Sequence, residues 1–115
     1  MIERIKRLLG FEESDVPSAE EERRDELIAV IVDNTVLRLR NLLGGEQSVP
    51  DALSYIVVDV SIKRFNRIGS EGASSHSVEG ESISFSDNDF AEYASDIQAW
   101  RDSQKEVTKG KLRFL

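Results

Sequence analysis

From Ile28 onward one pattern dominates the chain: Ile28, Val32, Thr35, Leu39 and Leu42 follow one another at alternating steps of four and three, flanked by Ile31, Val36 and Leu43. That spacing puts a wide apolar stripe on one side of an α-helix. Leu27, Val30 and Leu37 fall on a second side. A helix that is apolar on more than one side lies at the centre of its bundle or shares a face with a neighbouring subunit. The start is marked by Pro17 and Ser18-Ala19-Glu20-Glu21, a capping box in which the Ser18 hydroxyl and the Glu21 carboxylate satisfy orphan backbone donors reciprocally. Gly44-Gly45 ends the helix, and Glu20 to Glu22 at one end and Arg38 and Arg40 at the other suit its dipole.

The remaining elements arrange themselves around this one. Ile2, Ile5, Leu8 and Leu9 follow helical spacing up to Gly10, with Glu3, Arg4, Lys6 and Arg7 on the other side. At about two turns this helix cannot stand alone in water and must dock its stripe, on its own core or on a partner. Phe11 to Pro17 reads as an acidic connector. Pro50 and Asp51 open a further helix expected to reach Ile68 and stop at Gly69, with Leu53, Ile56, Val57 and Val60 on one face and Tyr55, Val58, Ile62 and Phe65 on another. Asp59 is placed to pair with Lys63 one turn on. Ser70 to Ser86 is rich in Ser and Gly and reads as a mobile loop or a β-hairpin, Ile83 and Phe85 alternating with serines as a strand would. Ser86 or Asp87 caps a last helix with Phe90, Tyr93, Ala94, Ile97 and Trp100 on one core stripe, and residues 106–115 read as an extended tail ending in Lys111, Leu112, Arg113, Phe114 and Leu115. The fold class expected is mostly α, a small bundle of three main helices plus the short N-terminal one, in one domain spanning residues 1–115.

Composition narrows the function. A chain of 115 residues suits one core and buries roughly two-thirds of its unfolded surface. It has no cysteine, which excludes disulfides and thiolate zinc ligands, so packing has to carry the stability. No run approaches the ~20 apolar residues of a membrane span, and the expectation is a soluble, intracellular chain. With 22 acidic against 15 basic residues and a net charge of −7, it lacks the concentrated positive surface of a protein that wraps nucleic acid.

Catalytic patterns are weak. His76 sits alone in the loop and reads as a solvated residue, since a catalytic imidazole needs a rigid supporting shell. Asp87-Asn88-Asp89 resembles the opening of a calcium loop but lacks the downstream Gly and Glu, and reads as a cap. Glu21, Glu22, Asp25 and Glu26 have the look of a magnesium-holding helix in an all-α nucleotide pyrophosphatase, yet no second carboxylate helix follows. Lys63, Arg64 and Arg67 are the candidates for touching DNA, though basic residues at a helix C-terminus are ordinary. No enzyme activity, cofactor or metal is expected. What remains is apolar surface for assembly.

The run KRFNRIGSEG from Lys63 to Gly72, the Ser/Gly stretch, ISFSD from Ile83 to Asp87, the opening MIERIKRLLG and the basic-apolar C-terminus together resemble the small head-tail connector, or head-completion and adaptor, proteins of tailed bacteriophages, some labelled DNA-packaging proteins. The resemblance implies a ring, expected to be a dodecamer, beneath the portal. Such a ring extends the DNA channel toward the tail and serves packaging and ejection, in a virion assembled in the host bacterial cytoplasm. DNA would pass through an acidic lumen without sequence-specific binding. It also implies portal or neighbour contacts through Ile2, Ile5, Leu8, Leu9 and Lys111 to Leu115. Contacts with a downstream neck or tail-completion protein would fall at Ser70, Glu71, His76, Glu79, Ile83 and Phe85. A tail-completion role in the same neck, and a host-encoded regulatory module dimerising through Ser18 to Leu43, stay open as alternatives.

Overall fold

The computed structural model describes residues 1–12, 14–70 and 86–113, with the backbone alone for residues 69, 70 and 106–113. Its elements are α1 (Ile2–Leu8), α2 (Ala19–Leu42), a 3₁₀ turn at Asp51–Leu53 that runs into α3 (Ser54–Ser70), and a 3₁₀ stretch at Asp87–Tyr93 that runs into α4 (Ala94–Arg113). The architecture among the described residues is mostly helical, as the periodicity predicts. The hairpin expectation falls at residues 71–85, outside the described ones.

Helix α2 begins as its sequence dictates. The Ser18 hydroxyl accepts from the Glu21 backbone N–H at 3.2 Å, but the Glu21 carboxylate accepts from the Ser14 hydroxyl rather than reaching back to Ser18. The other end closes on Gly44 and Gly45, at φ +96° and +88°, where an L side chain would be strained. The N–H groups of Gly45 and Glu46 both reach the Arg40 carbonyl. Helix α3 extends two residues past Ile68, so Gly69 lies inside its last turn instead of ending it. The larger difference is at the C-terminus. Residues 106–113 continue α4 as helix where an extended tail was expected. Lys105, Glu106 and Lys109 favour helix, no proline interrupts, and one glycine costs only about 1 kcal/mol.

Helices α2 and α3 pack antiparallel: Ile31 and Leu27 of α2 meet Ile68 and Phe65 of α3, while Arg64 reaches Asn34 and Thr35. The main core joins Ile5, Ile28, Val32, Leu39, Leu43, Leu53, Ile56, Val57, Val60, Phe90 and Ile97. Helix α3 is the central element, contacting α1, α2 and the 3₁₀ stretch. Its second face is covered in turn. Phe11 meets the Phe65 ring edge-on with centroids 5.7 Å apart, and Tyr93 meets Tyr55 at 6.0 Å. Phe90 and Ile97 are buried and Tyr93 and Trp100 half-buried, as their stripe predicts, but Ala94 faces solvent. It stands where the 3₁₀ winding gives way to α, which shifts the register of that face.

Two substitutions test this packing. Ile5 is fully buried, so Ile5→Ala should cost about 2–5 kcal/mol in denaturant unfolding and release α1. The Ser61 hydroxyl is buried with no hydrogen-bond partner among the described residues. Ser61→Ala should therefore leave the unfolding midpoint unchanged or raise it, since nothing paired is lost.

Candidate functional site

Arg64 stands at i+4 from Val60 and i+7 from Val57, on the stripe that α3 turns inward, and its side chain is 1% exposed. A guanidinium in such a place has to be paired and hydrogen-bonded, because removing its hydration costs several kcal/mol. The fold supplies the partners from two directions. Arg64 Nε donates to Asp89 Oδ2 at 2.9 Å. Nη1 donates to Asn34 Oδ1 at 3.0 Å and to the Thr35 hydroxyl at 3.1 Å. Nη2 donates to the Ser86 carbonyl at 3.2 Å. The Thr35 hydroxyl donates onward to the Ile31 carbonyl at 2.7 Å, and the guanidinium lies 5.3 Å from the Phe90 ring centroid.

Asp89 receives a second cation. Arg67 grips it with both terminal nitrogens, Nη1 to Oδ1 at 2.7 Å and Nη2 to Oδ2 at 2.9 Å, the bidentate geometry that favours Arg over Lys. Hydrogen bonds from Arg67 hold the Asp89 pKa down at about 2; burial works against them and the bonds from Arg64 add to them. A further exposed pair, Arg38 of α2 with Asp87, ties the same segment down. Residues 86–89 are thus fastened to both long helices at once.

A second, exposed network joins α3 to the start of α4. Tyr55 donates to Asp96, Tyr93 donates to Asp59 at 3.1 Å, and Lys63 donates to Glu92 at 2.7 Å. Lys63 therefore takes Glu92 instead of Asp59. Both tyrosines are pushed up to about 12, Tyr55 chiefly by its bond to Asp96 and Tyr93 chiefly by burial and then by Asp59. The face this network occupies is acidic, with Asp51, Asp59, Glu92 and Asp96 all exposed.

The DNA-contact candidates change meaning here. Arg64 is interior, Arg67 clasps Asp89 and Lys63 is paired with Glu92, so the three form no phosphate-facing patch. Of the acidic residues on α2, Asp25 is engaged by Lys6 at 3.1 Å and Arg24 at 3.2 Å and Glu21 by Ser14. Among the described residues no group of three or more His, Asp or Glu is placed to hold a metal.

The predicted contact residues are scattered. Ile5 is in the core, Ile2 and Leu9 are half-buried against it, and Leu8 is 62% exposed. Lys111, Leu112 and Arg113 lie on the helical backbone of α4, and Phe114 and Leu115 fall outside the described residues. Ser70 closes α3, while Glu71, His76, Glu79, Ile83 and Phe85 also fall outside. On α2, by contrast, Val30 and Leu37 are 51% and 56% exposed, so among the described residues nothing covers these two members of the second side, whereas Leu27 packs against Ile31 and Ile68.

The chain belongs to the phage gp6-like head-tail connector proteins, whose family model matches residues 1–101. No curated protein and no solved structure matches it. The protein is accordingly a structural component of the phage neck, and the match ends where α4 leaves the body of the fold.

Asp89 makes stability depend on acid. Its carboxyl ordinarily titrates at 3.8 and in the fold at about 2, so its stabilisation is complete above pH ~4 and is lost as pH falls through about 2. Chemical unfolding followed from pH 5 to pH 2 should show this decline. Asp89→Asn should flatten it and cost about 3–5 kcal/mol at neutral pH, because it removes the anion that Arg64 and Arg67 share.

Proposed function

We propose that this protein forms a ring of identical copies beneath the portal, joining the phage head to the tail and extending the channel through which DNA is packaged and ejected. The observation that carries this reading is the bare Val30/Leu37 face of α2. Apolar side chains seven residues apart on a long helix, half-exposed in the protomer, are what a repeated subunit contact needs. Family membership favours a neck assembly over a host-encoded dimerising module.

The role is mechanical and electrostatic, with no bond made or broken. The exposed acidic face of α3 and the start of α4, bearing Asp59, Glu92 and Asp96, suits a lumen that repels the phosphate backbone and lets duplex DNA slide without sequence-specific contact. A dodecamer is the expected closure, formed in the host cytoplasm on the portal as template. Leu8 and the segment from Lys111 to Leu115 are the proposed contacts with portal or neighbour; Ile2, Ile5 and Leu9 support them by docking α1. Ser70, Glu71, His76, Glu79, Ile83 and Phe85 are proposed to meet the next component on the tail side.

Electron microscopy of the protein mixed with portal is the test. Rings coaxial with the portal are expected, and a protein that stays monomeric with every vertex component overturns the reading. Deleting Lys111 to Leu115 should leave the circular dichroism and unfolding midpoint of the protomer intact while abolishing ring assembly or portal binding. Normal assembly by the truncated chain would remove the tail from the contact.

A further inference from the structure

Among the described residues, two surfaces lack a cover. One is the outward side of α2, where Glu26, Val30, Asp33, Leu37 and Asn41 are all exposed. Val30 and Leu37 lie roughly 10 Å apart along the axis, with the Asp33 carboxylate between them and Glu26 one turn before. Of the nearby cations, Arg38 is already committed to Asp87. The other is the distal part of α4, where residues 101–105 are exposed without exception. From Lys105 to Arg113 the sequence carries four basic residues, Lys105, Lys109, Lys111 and Arg113, against the single acid Glu106, with Val107 and Leu112 among them. A helical end of this kind, containing Gly110, is marginal in water unless something packs on it.

The two surfaces of one molecule cannot meet. Asp89 sits level with Asn34 and Thr35 of α2 through Arg64, Tyr93 with Asp59, Asp96 with Tyr55, and Arg101 with the Leu42 carbonyl at 3.5 Å. Helix α4 therefore runs antiparallel to α3 and passes the end of its own α2 at Arg101. The next twelve residues, as continuous helix, carry the chain roughly 20 Å further away from Val30. That length exceeds the 8–10 Å separation of packed helices, so residues 105–113 do not fold back onto Val30 of their own molecule.

We infer that the Val30/Leu37 side of α2 receives residues 105–113 of α4 from the next copy, with the basic end of the helix set against Glu26 and Asp33. Such a contact is heterologous: each copy offers a donor helix at one end and an acceptor face elsewhere, which generates rings when the rotation closes. The inference rests on the reading of the chain as a repeated subunit, and it says which surface meets which.

Because the chain has no cysteine, introduced cysteines report single contacts. Full-length chains bearing Leu37→Cys and affinity-tagged chains bearing Leu112→Cys are mixed and oxidised, with and without portal protein, and the tagged-to-untagged product is read by electrophoresis. That product is expected, and Val16→Cys, at an 85% exposed position, should not replace Leu37→Cys in forming it. Asp33→Lys in the acceptor chain should remove most of the product and Lys109→Glu in the donor chain should restore it. Circular dichroism verifies that each variant is folded. Rings by microscopy without this disulfide overturn the inference and leave the ring reading standing. The disulfide without rings does the reverse, and loss of both overturns both.

Discussion

One guanidinium holds the folded chain in register. Arg64 projects from the inward side of α3 into a position that would otherwise take an aliphatic residue, and every direction of its fork finds an acceptor: Asp89, Asn34, Thr35 and the Ser86 carbonyl. An apolar residue there would pack α3 against α2 without specifying how residues 86–89 approach. A buried cation requires its anion at one place, since leaving either charge unpaired costs several kcal/mol. The pair therefore fixes where the chain re-enters the fold before α4. The direction in which α4 departs follows from that anchor together with the Tyr55 and Tyr93 hydrogen bonds.

The hydrophobic residues are divided unequally between the two long helices. Those on α3 are consumed inside the protomer: Ile56, Val57 and Val60 in the main core, Phe65 by Phe11, and Tyr55 in part by Tyr93. Those on α2 are consumed on one side only, and Val30 and Leu37 stay in water. The four α-helices among the described residues do not wrap both of the long ones. The helix in the middle buries most of its apolar side chains against the others, and α2 keeps a face for a neighbour. This division suits a structural protein of the phage neck, whose role is contact with other subunits.

The same geometry separates the charges by purpose. Basic residues at the end of α3 are spent inside the protomer on Asp89 and Glu92, whereas Asp59 and Asp96 accept tyrosine hydroxyls at the surface. Asp51, Asp59, Glu92 and Asp96 are consequently exposed where α3 and α4 run together.

Periodicity alone places α1, α2, α3 and the start of α4, because the spacing of Ile28 to Leu42 or of Phe90 to Trp100 is a local property set by helix geometry. The cap at Ser18 and the stop at Gly44-Gly45 are equally local, as is the resemblance of Lys63 to Asp87 that pointed to the connector family. Tertiary structure alone decides the role of Arg64, which reads as an ordinary helix-end cation until Asp89 arrives from 25 residues away. One signal was present, its place at i+4 from Val60. Likewise the exposure of Val30 against the burial of Ile31 depends on which neighbours the packed helices leave room for. Spacing along a chain determines which side chains share a face, but only the assembled fold determines which faces are already taken.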